Sequence, residues 1–389
     1  FVRCFLPMAL CLFMLCGLVS SCVAYTPPPL CGLISSWGYP CETHTIATVD
    51  GFRLGASRIP AARPCAPAVI LQHGLLDAAS TWVLNLPHQS LGYILHDSGF
   101  DVWLPNSRGN LYSRQHSRLS PTDDEYWQSI DFSQMGAYDV PAVVEHVLRH
   151  TNRSDVSYVG HSQGTTQMFA ALSTNARGVQ GRINLFVALA PVAHLNHVSS
   201  TFMRSLAEMG MDKVFQMLGV RDFMPDEAMF QRLGVFCDYD PQTCKLIPLI
   251  ICGADLPNLN ASRFDVYLKY VPAGTSVHNM AHWGQGVRAP VFGLFDWGIL
   301  GNIERYHRLT PPQYDLAKVH APVAVFAGGA DTLAEPQDVA RLVGSLRSLV
   351  YINRQSPYAH MDFTWGLDAH RTIYPAVVDL LRKHGGRPR

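Results

Sequence analysis

Five residues constrain this chain more than any others: Gly160-His161-Ser162-Gln163-Gly164. They follow Asp155-Val-Ser-Tyr-Val159, a short apolar run that reads as a strand, and precede Thr165 to Leu172, which has helical spacing. A strand that becomes a helix across so short a turn forces its central residue into strained backbone angles. Glycine is required on both sides because a Cβ at either position would collide within the turn. The strain lifts the Ser162 hydroxyl above the strand ends, and the helix N-terminus behind it favours developing negative charge.

The rest of the chain supplies the sheet that such a turn needs. Thr43 to Val49 and Phe52 to Ile59 flank Asp50-Gly51 and predict a hairpin. Ala68-Val-Ile-Leu-Gln72, Asp101-Val-Trp-Leu104, Ile183 to Ala190, Pro322 to Ala327 and Leu349 to Asn353 are further short apolar strands, and Asp139 to His150 has helical spacing. Continuous apolar strands alternating with helices predict a mostly parallel central sheet with helices on both faces. Between residues 194 and 315 the rhythm breaks. Six of the chain's twelve methionines fall between Met203 and Met229 there. This stretch is expected to be an inserted cap, dividing the core into residues 25–193 and 316–389. Flexible thioethers suit a surface that adapts to varied apolar shapes, and equally an ordinary helical core.

A serine hydroxyl is a weak nucleophile and needs a base held by an acid. In the strand–serine–helix architecture the chain order is Ser, Asp or Glu, then His. Asp331 follows the strand 322–327 through Gly328-Gly329-Ala330, and His360 lies in the loop after the last strand. Asp338, Asp362, His370 and His384 are the rivals, set aside because of their positions along the chain. The oxyanion donors expected are the backbone N–H of Gln163 and that of Leu75, after the strand 68–72. His73, placed before a glycine turn, reads as a brace for that loop rather than a base.

Thirty basic residues balance thirty acidic ones, which leaves no basic footprint for nucleic acid and no polybasic membrane patch. Residues 1–24 read as a signal peptide, with Arg3 ahead of the apolar stretch Leu6 to Val19; no transmembrane segment is expected once it is removed. Export makes disulfides plausible chemistry for the six cysteines that remain: Cys31, Cys41, Cys65, Cys237, Cys244 and Cys252. They lack the paired spacing of a zinc site, and neither a metal nor an organic cofactor is expected. Because the hairpin returns the chain to its starting end, Cys41–Cys65 is the favoured bridge, with Cys31–Cys41 as the rival. Asn152 and Asn260 begin N-x-S/T sequons.

Taken together, these blocks resemble the acid lipases of the gastric and lysosomal type, members of the α/β-hydrolase superfamily. The blocks are Trp37-Gly-Tyr-Pro40, Leu71-Gln-His-Gly-Leu75, Asn106-Ser-Arg-Gly-Asn110, Tyr138-Asp139, the serine turn, Pro272-Ala-Gly-Thr-Ser276 with His282-Trp283, Pro336-Gln-Asp-Val339, and Asp362-Phe363 with Trp365. The resemblance implies the α/β-hydrolase fold with an inserted cap and lid. It also implies a secreted or lysosomal glycoprotein acting at acid pH on neutral lipids, triacylglycerols or cholesteryl esters, at a lipid–water interface. It implies a Cys237–Cys244 bridge with Cys252 as a free thiol, and glycosylation at Asn260. One departure is Ala359, where the family usually has Asn. The alternative reading of the chain is a lipid-binding protein on the same fold that has lost catalysis.

Overall fold

The computed structural model describes residues 28–208, 219–223 and 256–385. The expected leader, Cys237, Cys244, Cys252 and most of the methionine-rich stretch lie outside the described residues.

Eight strands carry the main sheet: β1 (Glu42–Ala47), β2 (Phe52–Ile59), β3 (Ala68–Gln72), β4 (Asp101–Pro105), β5 (Val156–His161), β6 (Ile183–Leu189), β7 (Val323–Gly328) and β8 (Leu349–Gln355). Their spatial order is β1-β2-β4-β3-β5-β6-β7-β8, and the two-residue strand Gln115–His116 pairs with β2. β1 and β2 form the expected antiparallel hairpin, and β2 runs antiparallel to β4. From β4 to β8 every pairing is parallel.

Burial explains the apolar runs. Every residue of β3, β4, β5 and β7 is buried, so both faces of the sheet centre are covered. The outermost strands are only partly covered and carry polar residues. The helices used below are α1 (Leu30–Ser36), α2 (Leu91–Asp97), α3 (Val140–Thr151), α4 (Gln163–Ser173), α5 (Thr201–Glu208), α6 (Val277–Arg288), α7 (Pro336–Ser345) and α8 (Tyr374–His384). In α3 the buried Val140, Val143, Val144, Val147, Leu148 and Thr151 recur at the spacing of one helix face. The helix stops at Asn152, exposed and in the left-handed region with φ 51°. α4, behind the serine turn, is buried at every residue.

The connection from β6 to β7, residues 190–322, adds no strand to the main sheet among the described residues. Within it α5 packs on α6, and Asp222–Phe223 pairs antiparallel with Thr275–Ser276. The Ser276 hydroxyl accepts from the Asn279 N–H and caps α6. No helix among the described residues is long and apolar enough to cross a membrane.

One expectation is overturned. The bridge is Cys31–Cys41, with a Cα–Cα distance of 5.4 Å, and Cys65 is a free, exposed thiol. The favoured Cys41–Cys65 pairing overlooked α1. That helix brings Cys31 against the start of β1, within 3.4 Å of the Thr43 hydroxyl. Cys65 instead turns with φ 57°, and its carbonyl accepts from the Arg153 guanidinium at 3.0 Å.

Candidate active site

The serine turn has the expected strain. β5 ends at His161, and Ser162 adopts φ 54° and ψ −120°, its N–H donating to the Leu189 carbonyl at 3.2 Å. A Cβ at Gly164 would stand 2.4 Å from the Gln72 carbonyl oxygen, and one at Gly160 would stand 2.8 Å from the Gly164 carbonyl. Glycine at both positions therefore lets β5, α4 and the end of β3 meet backbone to backbone. Gly74 also lies against the serine, since a Cβ there would be 3.5 Å from Ser162 Oγ.

The acid and the imidazole come from adjacent loops. A Cβ at Gly328 would stand 2.2 Å from the Tyr358 carbonyl oxygen, and one at Gly329 would stand 2.6 Å from that of Ser356. The two glycines thus let the loops after β7 and β8 touch. Asp331 Oδ1 accepts the N–H groups of Leu333 and Ala334 at 2.9 and 2.8 Å. His360 Nδ1 donates to Asp331 Oδ2 at 2.9 Å, leaving the lone pair on Nε2. Both residues are 2% exposed, so the pair is shielded from water. Among the described residues no hydrogen bond joins Ser162 Oγ to His360, whose Nδ1 is engaged by Asp331.

The rivals are engaged elsewhere. Asp338 accepts the His197 N–H at 2.8 Å and pairs with its ring at 2.7 Å. Asp362 accepts the Ala359 N–H at 2.7 Å and so shapes the histidine loop from within. The His370 ring stands against that of His88. His384 ends α8.

Among the described residues the Leu75 and Gln163 N–H groups donate to no protein acceptor. His73 braces the loop that holds the first of them. Its Nδ1 donates to the Gly74 carbonyl at 2.9 Å, while Nε2 accepts the Ser107 N–H at 3.0 Å. Burial lowers its pKa to about 4, so the ring stays neutral.

Four contributors were not assigned from sequence. His161 Nε2 donates to the His360 carbonyl at 2.9 Å, tying the serine turn to the histidine loop. Burial, reinforced by the His360 ring, lowers its pKa to about 3. Asp77, two residues after Leu75, accepts the Ala78 N–H at 2.8 Å, and burial pushes its carboxyl up to about 7. Asn279 Nδ2 and Trp283 Nε1, both on α6, donate to Gln163 Oε1 at 2.8 and 2.7 Å. The sequence signals for these are His161, inside the serine motif but given no role there, and the His282-Trp283 pair, a cap motif without a partner.

The sheet order, the strained serine and the His–Asp pair are those of the α/β-hydrolase class. Residues 67–367 match the family model described as alpha/beta hydrolase fold, and residues 31–86 match the partial alpha/beta-hydrolase lipase region. The chain is 42% identical over 360 residues to gastric triacylglycerol lipase of Bos taurus, covering 90% of each chain. It is 41% identical over 362 residues to lysosomal acid lipase/cholesteryl ester hydrolase of Homo sapiens, again covering 90% of each. Lipase member K of Homo sapiens gives the same figures as that lysosomal relative. Among solved structures, an aryl esterase from Burkholderia cenocepacia superposes with a TM-score of 0.55 at 16% identity, covering 89% of this chain and 100% of its own, a likeness of fold. The chain belongs to the lipase family of the α/β-hydrolase fold, a family of carboxylic ester hydrolases.

Proposed function

We propose that this chain hydrolyses the ester bonds of neutral lipids, triacylglycerols or cholesteryl esters, at acid pH through an acyl-enzyme on Ser162. The observation that carries the reading is a buried imidazole fixed by a carboxylate, on a loop hydrogen-bonded to the turn that displays the serine. The relatives' names supply the substrate class: one is a triacylglycerol lipase, another a cholesteryl ester hydrolase.

In the proposed cycle His360 Nε2 takes the Ser162 proton as Oγ attacks the ester carbonyl. Asp331 holds the ring and stabilises its cation. The N–H groups of Leu75 and Gln163 receive the oxyanion, each donor worth about 3 kcal/mol. His360 then protonates the leaving alcohol, and water releases the fatty acid by the reverse proton path.

Residues 194–315 act as a cap over this site, with a lid that opens at the lipid–water interface. The chain is secreted or lysosomal, glycosylated at Asn152 and Asn260, and carries a second bridge, Cys237–Cys244. Asn152 is exposed, and Asn260 Oδ1 accepts from the Ser262 N–H and hydroxyl, which keeps its side chain ordered at the sequon.

A fluorophosphonate probe tests the nucleophile. Labelling is expected in the intact chain and absent in Ser162→Ala, with hydrolysis of triolein and cholesteryl oleate falling by roughly a thousandfold or more. No labelling at acid or neutral pH would favour a lipid binder without catalysis. Labelling with turnover of short soluble esters alone would point to a non-lipid esterase.

A further inference from the structure

Three histidines meet at one edge of the sheet, away from the serine turn. His44 lies on β1, the edge strand, and shares a face with Ile46, which is buried. His146 and His150 lie one turn apart on α3, which packs against β1. β1 is four strands from β5 in the sheet order, on the order of 20 Å at ordinary strand spacing. None of the three has a part in the ester chemistry.

The rings are held in a manner that turns one nitrogen of each toward the others. His44 Nε2 donates to Glu42 Oε2 at 3.2 Å, which leaves its lone pair on Nδ1. His150 Nδ1 donates to the His146 backbone carbonyl at 2.8 Å, which leaves its lone pair on Nε2. His146 Nε2 stands 3.4 Å from His44 Nδ1. An oxygen acceptor on the far nitrogen is how protein metal sites fix the tautomer and orientation of a histidine ligand. Glu42 is itself steadied by Arg58 at 2.8 Å, and Arg58 by Asp101 at 2.7 Å.

Distances agree with this. One nitrogen from each ring lies within 4.8 Å of one from each of the others. Ligand nitrogens about 2.0–2.1 Å from a tetrahedral zinc ion stand about 3.4 Å apart. The His44–His146 separation already has that value. His150 is exposed, so water can reach the fourth position from its side. The wall behind the cluster is the buried Trp103 ring, 4.7 Å from His44, which limits the other rings' freedom. Arg58 and Arg149 oppose a cation here; the Glu42 carboxylate favours it.

We propose that His44, His146 and His150 form a binding site for a zinc-class divalent cation, bridging the edge strand to α3 and separate from the ester-hydrolysing centre. Imidazole ligands with a water in the fourth position suit Zn²⁺, and Co²⁺ reports the same geometry spectroscopically. Bound metal would join β1 to α3 and resist their separation.

The full chain, stripped with a chelator and held at neutral pH, is titrated with Zn²⁺ against a chromophoric indicator, and separately with Co²⁺. One equivalent is expected to bind, with a tetrahedral Co²⁺ spectrum and a rise in Tm. His150→Gln, on the exposed surface, and His44→Gln are each expected to lower affinity by about tenfold or more, and Glu42→Gln by about tenfold as the orienting partner. His320→Gln, an exposed histidine elsewhere, serves as the control and is expected to bind as the unaltered chain does. Metal-free melting of each variant shows whether it is folded. Absence of stoichiometric binding, or binding unaltered by either His150→Gln or His44→Gln, would overturn the proposal.

Discussion

Asp77 puts a buried carboxyl beside the proposed reaction centre. It is buried two residues after Leu75, within the field of His360, and its pKa is raised from 3.8 to about 7 chiefly by burial. A raised carboxyl stabilises the fold fully below its ordinary pKa, and that contribution is lost as pH rises through about 7. Each unit is worth about 1.4 kcal/mol, so the contribution is on the order of 2–4 kcal/mol. His73 and His161 have the opposite sign. Their depressed pKa values, about 4 and about 3, give stability that is present above the ordinary 6.5 and lost as pH falls through the folded values. Asp77 thus offsets on acidification part of what the two neutral imidazoles cost. Asp77→Asn should steepen the loss of stability between neutral and acid pH by a few kcal/mol, read from denaturation at several pH values. Equal slopes for the two proteins would remove Asp77 from the account. Little of this was legible beforehand. Ser162, Asp331 and His360 stand out because each residue type follows a recognisable strand. Asp77 is bonded by the Thr81 hydroxyl, which accepts from the indole N–H of the distant Trp365 at 2.9 Å, a link no motif carries.

At the scale of elements, α6 holds the side chain of Gln163, the residue after the proposed nucleophile. Trp283 and Asn279 both donate to Gln163 Oε1, and the Gln163 amide group reaches Met135 Sδ at 3.5 Å. Fixing that side chain limits rotation of the first turn of α4, and with it the direction of the Gln163 N–H. Trp283→Phe keeps a ring in place and removes one donor. A hydrogen bond worth about 1 kcal/mol predicts a loss of kcat of about fivefold with KM nearly unchanged. Steady-state kinetics on a short soluble ester, which avoids interfacial effects, would show it; a change in KM alone would indicate a substrate-lining role instead. The strands were readable to within a residue or two because their burial leaves continuous apolar runs. The short α1 was not, since Leu30 to Ser36 has only Leu30 and Ile34 on its buried side. That omission produced the wrong disulfide, because only α1 brings Cys31 to Cys41.

Across the whole molecule, one buried guanidinium joins segments that the sequence keeps far apart. Arg108 bonds Asp50 in the hairpin turn at 2.7 Å, Asp139 at the start of α3 at 2.8 Å, and the Ser129 carbonyl at 3.0 Å. It also lies over the Phe52 ring at 4.2 Å. The family blocks containing Arg108 and Asp139 were visible in the sequence, but their mutual contact was not, because motif matching carries no distances. Burial pushes the Asp139 carboxyl up even beside its partner, so removing the partner leaves an acid that is costly to ionise. Arg108→Met should therefore destabilise the fold by about 3–5 kcal/mol, most of it the cost of the orphaned carboxylate rather than the value of the pair. Asp50 is partly exposed, so Asp50→Asn should cost far less, about 1 kcal/mol. The decisive comparison is Arg108→Met combined with Asp139→Leu, measured by urea denaturation. If burial of an unpaired charge is the cause, the double variant recovers much of the loss, because no charge then remains without a partner at that position. If the double variant is no more stable than Arg108→Met alone, the guanidinium acts through its contacts with Asp50, Ser129 and Phe52, and the hairpin rather than α3 is what it secures.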